Sequence, residues 1–271
     1  MREAWRRTLP IIVVVAALLI VWYVAALIVD APQGALAQER PLLPTPGQVT
    51  GALLTGILQP LDSPRSLIYH AAVTASSALV GFALAFVVGI ALAIAIVNVR
   101  MLDRSLMPWI IASQTVPALA VAPMVVVVLG NIGLTGLIPK ALIAAWLSFF
   151  PIVTAMVTGL RSPERIQLDL LRTYSAGSWH VFAQLRWPAS MGFLFPGMKV
   201  AATLAVVGAI VAELPTGAQA GLGARLLAAS YYGQTLQLWA ALVMASILAV
   251  VVVALVDGAR SLLVHARGGR L

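Results

Sequence analysis

Long stretches without a single Asp, Glu, Lys or Arg decide what this chain can fold into. Residues 8–29, 66–99, 105–139, 141–160 and 226–256 carry no such charge, and 187–212 holds only Lys199. A bilayer core of roughly 30 Å is crossed by about 20 helical residues rising about 1.5 Å each. Each run is long enough for one crossing, so the sequence predicts six. Lipid offers no partner to free backbone N–H and C=O groups, and runs this long exclude the short alternating segments of a barrel. The expected fold class is an all-α polytopic membrane protein with six transmembrane helices.

The rest of the composition narrows the function. Charged residues make up 10% of the chain and hydrophobic ones 61%, against about 25% charged in a soluble domain. The absence of cysteine excludes thiolate zinc sites, disulfides and cysteine nucleophiles. His70, His180 and His265 are scattered among apolar segments, and no paired carboxylates or Ser-His-Asp arrangement occurs. No catalytic residue and no metal site is therefore expected. Nor is there a G-x-x-x-x-G-K-[ST] loop for ATP; the Gly-rich 217–223 contains no lysine.

The net charge of +8 is a topology signal. Counted from a cytoplasmic start, thirteen of the seventeen Lys and Arg fall on inside segments, and only Arg40, Arg65, Lys140 and Arg225 fall outside. Basic residues are enriched on the cytoplasmic side of membrane proteins, so both termini are expected there. No basic cluster with interleaved aromatics sits on a polar domain, and nucleic acid is not an expected partner.

The organisation follows. Residues 1–7 form a cytoplasmic N-terminus and 8–29 a first helix, too long for a signal h-region and read as a retained anchor. Residues 30–65 lie outside, 66–260 hold the five remaining spans, and 261–271 form a cytoplasmic basic tail. Pro32, Gly34, Pro41, Pro44 and Pro46 mark a loop. Val49, Leu53, Leu54, Ile57 and Leu58 then recur at helical spacing, predicting an amphipathic helix on the outer interface. Gly130, Gly133, Gly136 and Pro139 mark a tight turn after the third span.

The inner stretch 161–190 is the most informative. Ser162 is placed to cap a helix, with Pro163 at its first position and Glu164 in its first turn. Leu168, Leu171 and Tyr174 follow at helical spacing, and Ser175-Ala176-Gly177 interrupts them. Ser178 is placed to cap a second short helix with Val181, Phe182 and Leu185 on its apolar face, and Trp187-Pro188 is expected to stop it. A bent helix pair with an apolar face, displayed in water, calls for a partner that covers it.

At these residues the chain resembles the integral-membrane permeases of bacterial ABC importers. Their cytoplasmic signature reads EAA-x3-G-x9-I-x-LP, and Asp169-Leu170-Leu171, Ser175, Leu185 and Trp187-Pro188 stand in register with it. The signature glycine is Ser175 here, and Gly177 two residues on is expected to supply the turn. Leu43-Pro44-Thr45-Pro46, Val80-Gly81-Phe82, Val88-Gly89-Ile90 and the run from Val116 to Pro123 are similar to the nitrate/sulfonate/taurine type of such permeases. So are Phe149-Phe150-Pro151-Ile152, the run from Gly208 to Glu213, and Gly221-Leu222-Gly223.

The resemblance implies a type I importer architecture in which 161–190 carries a cytoplasmic coupling helix. It implies ATPase-coupling roles for Asp169, Leu171, Tyr174, Ser175, Gly177, Phe182, Leu185 and Pro188. The implied partners are two cytoplasmic ATP-binding subunits, a second permease copy or a homologous permease, an extracytoplasmic substrate-binding protein and membrane lipid. ATP and Mg would be bound by the partner ATPase, with no cofactor in this chain. The implied location is the bacterial inner membrane.

No arginine is buried in spans two to six, which disfavours an anion site, and 197–211 looks like the pyrimidine and vitamin-precursor branch. A small, neutral heterocyclic nutrient is therefore expected, with nitrate, sulfonate or taurine-like anions as the alternative. A secondary transporter driven by an ion gradient is a further alternative, disfavoured by the lack of internal repeats and intramembrane carboxylates. Gln114, Thr115, Ser148 and Glu213 are candidates for the translocation path. Glu213, beside Pro215 and Gly217, is read as the cap of a re-entrant segment, part of an outer gate or a solvated helix end. Lys199 is expected to snorkel, and His70 to pack at the interface.

Overall fold

The computed structural model describes residues 2–31, 41–214 and 218–266. In chain order the helices are α1 (Arg2–Asp30), α2 (Pro46–Ile57), α3 (Leu67–Asn98), α4 (Arg100–Ser113), α5 (Ala118–Asn131), α6 (Leu137–Arg161), α7 (Arg165–Thr173) and α8 (Ser178–Val181). A π-helical turn, Phe182–Arg186, then leads into α9 (Trp187–Glu213), α10 (Leu222–Tyr231) and α11 (Thr235–Ala266). Five helices among the described residues are long and apolar enough to cross a membrane.

α6 is the centre, with α3 on one side and α9 on the other. Its Ile152, Val153, Met156 and Leu160 are fully buried against Ala85, Ala93 and Ile96 of α3 and Ala201, Ala202 and Ala205 of α9. Lipid tails are as apolar as leucine, so helices in a bilayer associate through close packing, and small side chains permit it. Ala144 shows how close. A Cβ on Gly81 of α3 would stand 2.6 Å from the Ala144 Cβ, and one on Gly208 of α9 would stand 2.7 Å from its Cα. Only glycine lets both neighbours reach this point on α6.

α6 also defines the two ends of the bundle. With 25 residues it is about 37 Å long. Arg161 at one end bonds Asp103 of α4 at 2.9 Å, while Lys140 at the other approaches Glu213 at the end of α9. α1 stands apart: Ile11, Leu18, Ile20 and Ile28 are all exposed. A helix apolar on every side needs lipid around it. Its Trp22 stacks on Trp239 of α11 with ring centroids 5.1 Å apart.

Several expectations change. The run 105–139 is not one straight span but α4 and α5, 14 residues each, bent by 100°. Pro117 has no N–H to continue the first helix and disfavours helical backbone at Val116, so the chain turns there and restarts with Pro117 as N-cap. α4 begins near Arg161 and α5 ends just before α6 begins near Lys140, so together the pair still joins one end of the bundle to the other. The run 226–256 also divides. α10 ends at Tyr231, Gly233 takes φ +62, and the long helix starts only at Thr235 and runs to Ala266.

A helix forms over the Val49–Leu58 periodicity as expected, Pro46–Ile57, capped by Thr45. Gln48 Oε1 accepts the Thr45 N–H at 2.8 Å, and Pro46 occupies the first turn. The expectations at Pro32, Gly34, Arg40, Pro215, Gly217, Arg267 and Arg270 lie outside the described residues.

A candidate coupling elbow and a buried polar knot

The segment after α6 forms an elbow at the Arg161 end. Ser162 closes α6 instead of opening α7, and its Oγ donates to the Gly159 carbonyl at 2.8 Å. Glu164 is the N-cap of α7, its own N–H donating to Gln167 Oε1 at 3.0 Å. The helix then ends in a six-to-one closure. Ala176 N–H donates to Leu171 O at 3.1 Å and Ser175 N–H to Arg172 O at 2.9 Å, the Schellman pattern. That pattern places its C′ residue in the left-handed region, and Ser175 has φ +54.

The turn therefore falls on Ser175 itself. Gly177, expected to supply it, is extended at φ −67, ψ 162 and serves as the N-cap of α8, a role the sequence assigned to Ser178. Trp187-Pro188 does not stop the second arm either. Trp187 N–H reaches back to Phe182 O across the π turn, and helix continues from Ser178 to Glu213. Pro188 lies in the first turn of α9, where the widened turn accommodates a residue without an N–H. The arm is thus a rigid extension of a long span.

The elbow has two faces. Leu168, Leu171, Val181, Phe182 and Leu185 are half-buried, and Phe182 sits between Trp179 and Trp187 at centroid distances of 5.7 and 5.9 Å. The opposite face is open: Ile166 is 73% exposed, Leu170 57%, Tyr174 76% and Trp179 73%. Ile166, Leu170 and Tyr174 follow one another at i, i+4, i+8 and form a single apolar stripe. Asp169, beside it, pairs with Arg172 at 3.1 Å with both side chains in solvent, so this bond adds little stability. The i+3 series Leu168, Leu171, Tyr174 crosses from the half-buried face to the open one, so spacing singled out Tyr174 and passed over Ile166 and Leu170.

A family model described as binding-protein-dependent transport system inner membrane component matches residues 85–267, which include the whole elbow. The chain belongs to this family.

Its relatives include the formylaminopyrimidine transport permease protein ThiX of Halalkalibacterium halodurans, 30% identical over 76% of this chain and 75% of the relative. The riboflavin transport system permease protein RibX of Chloroflexus aurantiacus is 32% identical over 68% and 65%. The nitrate import permease protein NrtB of Synechocystis is 25% identical over 76% and 71%. The chain is thus an ABC-type permease, a multi-pass membrane component of a binding-protein-dependent transport system.

At the other end of this permease a buried polar knot ties α3, α6, α9 and α10 together. Glu213 is fully buried, so the solvated helix end is ruled out. Its carboxylate accepts Thr74 Oγ1–H at 3.0 Å and Gly223 N–H at 2.8 Å, with Lys140 Nζ 3.7 Å away. Thr74 Oγ1 in turn accepts Leu222 N–H at 2.8 Å, and His70 Nδ1 accepts Gly221 N–H at 3.0 Å. Three successive amides at the start of α10 are thereby satisfied by side chains from other helices. His70 must be neutral with its proton on Nε2, which lies 2.9 Å from Pro64 O. Gly221 has φ +127, and a Cβ there would overlap the Glu213 carboxylate.

The remaining candidates lie elsewhere. Ser148 is buried with its Oγ donating to Ala144 O at 2.7 Å, so its hydroxyl is engaged by its own helix. Gln114 and Thr115 are exposed at the α4–α5 bend. Lys199 bonds Asp257 of α11 at 2.6 Å, with both side chains partly exposed.

Proposed function

We propose that this permease is the membrane-spanning half of an ATP-driven importer, and that the 165–187 elbow is the part a cytoplasmic ATPase grips. The observation that carries this is the exposed stripe of Ile166, Leu170 and Tyr174 along α7 and its C-cap, set beside Trp179 on an arm continuous with α9. An apolar stripe in water needs a cover. An arm without a hinge passes a rigid-body movement into the membrane, where a flexible loop would absorb it. In this reading ATP and Mg are bound and ATP is hydrolysed by two partner subunits, and a second permease copy or a homologous permease completes the pathway. Both termini face the cytoplasm of a bacterial inner membrane, and an extracytoplasmic binding protein delivers the substrate to the Glu213 end. The polar knot holds that end as a gate, and Gln114 and Thr115 at the α4–α5 bend line the path.

For substrate, a small neutral heterocycle is favoured, since relatives carry the names of formylaminopyrimidine and riboflavin transport permeases. Relatives named for nitrate and aliphatic sulfonates, each 25% identical, support the anion alternative. Leu170→Asp tests the coupling role in reconstituted complexes with ATPase and binding protein. Leu170 is exposed, so the variant is expected to insert at the normal level while uptake falls by at least about tenfold, a loss of about 1.4 kcal/mol or more in coupling. Unchanged uptake would contradict the assignment.

A further inference from the structure

At the Lys140 end, beside the polar knot but separate from it, α2, α10 and α11 border a half-open cavity of about 310 Å³. Arg65, Arg225, Gln59, Gln237 and Thr55 supply its polar wall, and Leu67 closes one side. Arg225 is fixed there: its Nη2–H donates to Gln237 Oε1 at 2.7 Å. Its Nε is buried and has no hydrogen-bond partner among the described residues. A guanidinium does not surrender its protons in a protein, so a buried N–H on it calls for an acceptor. Burial, and after it the charge of Arg65, pull Arg225 below its ordinary value. Two cations that share one space gain most from an anion placed between them.

We propose that this cavity is a binding site for a phosphate group, held by the Arg225 fork with Arg65 as the second cation. Arginine presents paired N–H donors that match phosphate oxygens, and the amides of Gln59 and Gln237 and the Thr55 hydroxyl are donors for the remaining oxygens. The surroundings suit a phosphodiester at the membrane surface. Leu54 and Leu58, on the face of α2 turned away from the cavity, and Leu61 just after the helix are exposed, so α2 itself is suited to lie among acyl chains with the cavity at its other side. A free phosphate ion would use the same donors.

The test uses the full chain, purified in maltoside detergent and stripped of phospholipid. Its melting midpoint is followed against inorganic phosphate, and separately against phosphatidylglycerol in mixed micelles, with ionic strength matched by sodium chloride. The wild type is expected to gain about 3 °C or more from at least one of them. Arg225→Gln and Arg65→Gln should each lose most of that gain. Arg65 is exposed, so Arg65→Gln decides the matter if Arg225→Gln does not fold. A gain with phosphatidylglycerol alone assigns the site to lipid, a gain with phosphate alone to a soluble anion, and a gain with both to a site open to either. No gain in the wild type, or a full gain retained by either folded variant, would overturn the proposal.

Discussion

Ser175 holds a left-handed backbone at φ +54 in the place where the signature of these permeases has glycine. A side chain there crowds the following carbonyl, at a cost of roughly 1 kcal/mol relative to glycine. Ser175→Gly is therefore expected to tighten the elbow, seen as slower hydrogen exchange at the Ala176 amide without loss of transport. Ser175→Pro, whose ring fixes φ near −65°, should abolish uptake while the chain still inserts, and normal uptake would contradict that. Gly221 is the corresponding case at the other end. In Gly221→Ala the new Cβ meets the Glu213 carboxylate and φ +127 is left without its glycine, so size-exclusion profiles should show loss of monodisperse protein. The sequence made Glu213 conspicuous as a carboxylate at the end of an apolar run. Its environment was not legible, because Thr74 lies 139 positions away in the chain and no local pattern signals the pairing.

Among the helices, hydropathy located the spans but not their bends. α1, α3, α6 and α9 stand where charge-free runs predict them, since lipid imposes one rule along such a run. The same rule says nothing about direction, so 105–139 and 226–256 read as single spans although Pro117 and Gly233 divide them. Pro117 and Gly233 sit inside uninterrupted charge-free runs, where hydropathy does not register them. Pro188 misled in the opposite sense, because a π turn absorbs it. Packing between elements rests on glycine at Ala144. Gly208→Val would drive a branched side chain into the α6 backbone, with an expected cost of about 1–3 kcal/mol from overpacking. A lower melting temperature of the purified permease checks this; an unchanged one would show that α9 and α6 are not held at that distance.

At the scale of the whole molecule, the permease joins a polar knot at one end to an exposed apolar elbow at the other through the α6–α9 pair. Residue spacing alone exposed the elbow as a bent pair, and the resemblance supplied its partner; the identity of the open face required the fold. The chain contains no cysteine, so single cysteines can be placed at will. Leu170→Cys and Tyr174→Cys on the stripe, with Leu58→Cys on the opposite end as control, can be cross-linked to the ATPase subunit in native membranes. The account predicts efficient cross-links from both stripe positions and none from Leu58→Cys. Stripe cysteines that fail to reach the ATPase, while the complex still transports, would contradict it.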